Sequence, residues 1–135
     1  MQILQTDEPM NKTNFLYLNS RDEFLRVEIS KIVYFHADGN YTKIVLTNKT
    51  MVTIGMNLSK MLNVLNENLR ESAGIFIRVG KSLIINSNYV FRIIPLRQRL
   101  ILSDGEKFEY QLPVSKEALK SLKLLYVGNQ KERLS

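Results

Sequence analysis

Apolar and polar positions alternate with a period of two along most of the chain, and the period lengthens to that of a helix in only two places. Phe15-Leu16-Tyr17-Leu18 reads as one strand. Residues 24–29, where Leu25, Val27 and Ile29 alternate with Arg26 and Glu28, read as the next, with the turn at Asn19-Ser20-Arg21-Asp22. Residues 32–37 and 41–46 form a second β pair around Asp38-Gly39-Asn40, whose glycine can take a positive φ. Thr47-Asn48-Lys49 turns into a strand at 50–54, so the first half reads as a meander. Its connections are too short for parallel pairing.

At Asn57 the period changes. Leu58, Met61, Leu62, Leu65 and Leu69 share one face of a helix opposite Ser59, Lys60, Asn63 and Asn66, and Asn57 is placed to cap it. Strand signals return at Phe76-Ile77-Arg78 and at 82–85, 89–94, 99–102 and 107–111, with a hairpin turn at Ser103-Asp104-Gly105-Glu106. A last helix follows Ser115, with Leu119, Leu122, Leu125 and Tyr126 on one face and Lys116, Lys120 and Lys123 on another. The pattern predicts a mainly β fold of about eight to ten short antiparallel strands with two accessory helices.

The 135 residues suffice for one core, and 44% hydrophobic with 24% charged residues is the composition of a folded globular chain. A single domain is expected over 15–126, between a flexible leader at 1–14 and a polar tail at 127–135, with no room for a receiver or sensor domain. The apolar runs are strand-length, far below the roughly 20 residues of a membrane-spanning helix. The first residues carry Asp7, Glu8 and Pro9 rather than a basic and then apolar secretory signal, so a cytoplasmic protein without membrane insertion is expected. Zero cysteines and one histidine argue against disulfides, a metal centre and any cofactor. No phosphate-binding glycine loop, carboxylate cluster or nucleophile elbow is present, and His36 has no catalytic partner in sequence, so an enzyme is not expected.

Charge changes this picture. The chain carries a net +6, and between Glu71 and Asp104 it holds Arg78, Lys81, Arg92, Arg97 and Arg99 without one acidic residue. Arg78, Lys81 and Ser82 set two cations and a hydroxyl around Gly80, a small anion-binding surface, which makes nucleic acid the leading partner.

Three blocks, in order, resemble the LytTR-type DNA-binding domain of bacterial transcriptional regulators. They are Ile32 through Thr42 with its Gly39-Asn40-Tyr41 turn, the helix from Asn57 to Leu69, and Phe76-x-Arg78-x-x-Lys81-Ser82-x-Ile84-Ile85-Asn86 followed later by Leu112-Pro113-Val114-Ser115. The resemblance covers about Phe15 to Tyr126. It implies an elongated antiparallel β fold that offers loops, rather than a recognition helix, to successive major grooves of double-stranded DNA. The chain departs from the family at Gly80-Lys81, where His-Arg or His-Asn is common; Lys81 keeps a charge without the guanidinium fork. It also departs at His36, where glutamate is common and a structural role is expected.

The resemblance places Thr42 and Lys43, with Asn40 before them, in a first DNA-contacting loop; Tyr41 is expected in the core as a strand aromatic. Arg78, Lys81 and Ser82 form a second loop, in which Arg78 and Ser82 position the backbone. Ser115 and Lys116 follow at the start of the last helix, where Ser115 can cap the helix or bind phosphate, capping being the favoured reading, and Lys116 is the better DNA contact. Arg97 and Arg99 are auxiliary phosphate contacts or edge-strand protection. The expected function is sequence-specific reading of double-stranded DNA by a response-regulator-like protein, on adjacent repeats, through a weak homodimer or contacts made on DNA. The alternative is a protein-interaction module that pairs with and modulates a full-length regulator or membrane partner. A third reading, single-stranded RNA stacked on Tyr34, Phe35, Tyr89 and Phe91, is weaker because those aromatics are expected to fill the core.

Overall fold

The computed structural model describes residues 15–69 and 74–128; the leader and the polar tail from 129 onward lie outside them. The order is β1 (Phe15–Asn19), β2 (Phe24–Glu28), β3 (Ile32–Asp38), β4 (Tyr41–Leu46), β5 (Met51–Ile54), α1 (Leu58–Asn68), β6 (Phe76–Val79), β7 (Leu83–Asn86), β8 (Val90–Ile94), β9 (Arg99–Ser103), β10 (Glu109–Pro113) and α2 (Lys116–Val127). All strand pairs are antiparallel. They form a five-stranded sheet ordered β5-β4-β3-β7-β6, a hairpin of β1 and β2, and a three-stranded sheet ordered β10-β9-β8. The first half is therefore not one meander, because β1 and β2 leave the central sheet.

The central sheet is the middle layer. On one face, Phe35, Ile44, Ile54, Phe76 and Ile84 pack with Leu16 and Leu18 of the hairpin and Leu58, Met61 and Leu65 of α1. On the other, Val33, Val79, Leu83 and Ile85 pack with Leu100 and Leu102 of β9 and Leu119 and Leu122 of α2. A bulge between Ile32 and Tyr34 breaks the alternation, so that Val33 and Tyr34, adjacent in sequence, both pack on the second core while Ile32 and Phe35 enter the first.

The local chemistry follows sequence rules. The Asn57 side chain accepts from the Lys60 N–H at 2.8 Å and caps α1. Gly39 takes φ +61° in the β3–β4 turn, a conformation an L side chain would strain. Two strand ends differ from expectation for identifiable reasons. The Asp104 carboxylate accepts from the N–H groups of Glu106, Lys107 and Phe108, which are then unavailable to a ladder, so β10 begins at Glu109 instead of 107. Asn86, buried, donates to the Ile32 carbonyl and accepts from the Asn88 N–H, turning 87–89 into a short 3-10 helix before β8.

Candidate nucleic-acid interface

The antiparallel order carries two loops to the same end of the central sheet, and the start of α2 packs beside them. The β3–β4 turn lies beside Asp38 and Tyr41, and β7 begins at Leu83 directly opposite His36. The Ala37 N–H donates to the Ser82 carbonyl at 2.9 Å, joining the 80–82 loop to β3 just before that turn. A β-carbon built on Gly80 would meet the Ala118 Cβ at 4.0 Å, so the same loop rests on the first turns of α2. Gly80 itself has φ +65°.

A groove of about 380 Å³ opens here, with Lys43, His36 and Ser82 on its walls and Tyr34, Met51 and Pro113 among its apolar lining. His36 and Lys43 are cross-strand partners on one face. Burial, and then the charge of Tyr110, raise the Tyr34 phenol above its ordinary value, so it remains an uncharged wall. The groove is cationic at its rim and apolar at its floor.

Among the expected contacts, Asn40, Lys81 and Ser82 are exposed, and Lys43 keeps 36% of its side-chain surface while lying 3.5 Å from the Asp38 carboxylate. An ion pair this exposed holds the ammonium only loosely. Lys116 is half-buried at the start of α2, three residues beyond the groove's Pro113. Arg97 and Arg99 are exposed, and Arg99 pairs across the sheet with Pro113, which brings them near the same end.

Thr42 corrects the expectation. It is fully buried and its hydroxyl donates to the Met56 carbonyl at 2.8 Å, because it shares strand parity with inward-facing Ile44; it tethers β4 to the chain leading into α1. Tyr41, expected in the core, is 54% exposed for the same reason, with its ring over Gly55. Phe91 is likewise exposed rather than buried.

Arg78 and Ser115 act on the frame. Arg78 donates from Nη1 to the Ser59 hydroxyl at 3.1 Å and from Nη2 to the Lys81 carbonyl at 2.8 Å, bracing the 80–82 loop against the start of α1. The Ser115 hydroxyl accepts from the Ala118 N–H at 3.2 Å and caps α2. His36 was expected to be structural; it is exposed and faces the groove. Parity was the signal for it: inward Phe35 puts His36 outward.

Lys43, Lys81 and Lys116 gather at one end of a layered β frame, an arrangement suited to an anionic partner. The chain belongs to the LytTr DNA-binding domain family, whose model matches residues 22–126. It is 29% identical over 107 residues to heme-containing CO-sensing transcriptional regulator RcoM 1 of Paraburkholderia xenovorans (strain LB400), covering 78% of this chain and 37% of the relative. RcoM 2 of the same strain is 30% identical over 112 residues, covering 82% of this chain and 38% of the relative. The chain thus corresponds to under two-fifths of either protein. In fold it is similar to the LytTr DNA-binding domain of a protein described as a methyl-accepting/DNA response regulator from Bacillus cereus. That likeness has a TM-score of 0.58 and 24% identity over 84% of this chain and 97% of that one.

Proposed function

We propose that this domain reads specific double-stranded DNA sequences as part of a transcriptional regulator, entering major grooves with loops. The observation that carries the proposal is the convergence of Lys43 on β4 with Lys81 and Ser82 of the 80–82 loop, beside one groove and the start of α2. Asn40 and Ser82 offer hydrogen bonds to base edges, while Lys43, Lys81 and Lys116 neutralise phosphates, with Arg97 and Arg99 as outlying contacts. Each good base contact supplies about 1–3 kcal/mol of discrimination. So few contacts give one copy limited selectivity in a genome, and two copies on adjacent repeats are the natural way to raise it.

Duplexes selected from a random library at about 150 mM salt, where screening is already substantial, test this. The expected result is an enriched repeated motif whose affinity Lys81→Ala weakens. Binding confined to low salt, with no motif, would reject sequence-specific reading. With about six phosphates neutralised, affinity should fall about a thousandfold between 50 and 200 mM salt. A protein-interaction role draws support from a separate feature, the exposed Leu96, Leu124 and Leu125. Disruption of function by polar substitutions there, with DNA binding intact, would favour it.

A further inference from the structure

His36 is the chain's one histidine, and it stands in the groove rather than in either core. Its surroundings are unbalanced in charge. Lys43 faces it from β4, while the 80–82 loop contributes Ser82, β7 contributes Leu83, β5 contributes Met51 and β10 contributes Leu112 and Pro113, all uncharged. On its own strand Tyr34 lines the groove as a neutral phenol, and Asp38 lies beyond it, engaged with the Lys43 ammonium at 3.5 Å. Lys81 adds a further cation in the adjoining loop. No carboxylate lines this groove among the described residues. A protonated imidazole here shares the loosely held Asp38 carboxylate with Lys43, so with Lys81 nearby the cations outnumber the carboxylates and an anion entering from outside completes the balance.

We propose that His36 is a proton-dependent contact to the DNA backbone, so that the domain takes up a proton on binding and grips DNA more tightly as the pH falls through neutrality. The inference rests on the DNA-binding reading above and adds to it a residue and a control. Histidine is the side chain that ordinarily changes charge between about pH 5 and 8. An anion beside an imidazole favours its charged form, so phosphate contact and proton uptake are coupled. By linkage, affinity gained through a charged imidazole is present at the acid end of the range and is lost as the pH rises. For any ionisable group, each unit by which a partner's binding raises its pKa corresponds to about a tenfold gain in affinity.

The test measures fluorescence anisotropy of a labelled mixed-sequence duplex at low salt, from about pH 6 to pH 8, the range in which an imidazole titrates. The expected result is up to about a tenfold gain for the wild-type chain at the acid end, the gain set by one unit of pKa difference. His36→Gln should remove that pH dependence, and His36→Arg should bind with little pH dependence across the range. Lys81→Ala should bind more weakly at every pH yet keep the wild-type slope. A wild-type slope retained by His36→Gln, or a flat wild-type profile with binding intact, overturns the proton-linked contact alone. Failure of the wild-type chain to bind the duplex at any pH overturns the DNA-binding reading beneath it.

Discussion

The two faces of the central sheet are built from alternate residues of the same strands, yet they end differently. Toward α1 and the β1–β2 hairpin, Phe35, Ile44, Ile54 and Ile84 are all sealed, and Phe35 meets Phe76 edge-on at 5.4 Å between ring centres. Toward β9 and α2 the cover stops short. Val33 and Ile85 are buried under it, while His36, Lys43 and Met51 emerge into the groove. One parity of each strand supplies the core, and the other opens into the groove wherever the overlying layer runs out.

Substitutions at neighbouring positions of opposite parity should separate these roles. The largest effect is expected at Phe35→Ala, which should cost about 3–5 kcal/mol in urea unfolding as a buried aromatic is lost; a cost below about 1 kcal/mol would mean that this face is loosely packed. Thr42→Val comes next. It keeps the volume but leaves the Met56 carbonyl without its donor, so a loss of about 1–3 kcal/mol is expected, with the salt slope of DNA binding unchanged. Its neighbour Lys43→Ala should do the reverse. Stability should stay within about 0.5 kcal/mol, while the slope of log affinity against log salt falls by about one. If Thr42→Val shifted the slope and Lys43→Ala did not, the assignment of faces would be inverted.

Much of this arrangement was legible in the residues. The β3–β4 hairpin was marked by Gly39 between Asp38 and Asn40, and α1 by its apolar spacing and the Asn57 cap, because both depend on interactions within a few residues. Alternation in 41–46 also held the parity that buries Thr42 and exposes Tyr41, but the aromatic character of Tyr41 outweighed it in the reading. Other features depended on side chains capturing backbone groups, as Asp104 does in delaying β10 and Asn86 in turning the chain before β8. The groove was the least legible feature. It exists because β10 and the 80–82 loop flank the His36–Lys43 pair, an encounter between segments about 40 to 75 residues apart that no local pattern encodes.

Cations also occupy the opposite end of the molecule, where Lys31 and Lys107 flank a second hollow of about 380 Å³ with Asn48, Tyr89 and the Asp104 carboxylate. Net charge alone does not choose between the two ends. Backbone amide shifts of the isotope-labelled chain, followed by NMR as a DNA duplex is titrated in, decide between them most directly. The account predicts the largest changes at Gly39–Lys43, Gly80–Ser82 and Ser115–Lys116. Changes centred instead on Lys31, Asn48 and Lys107 would contradict it.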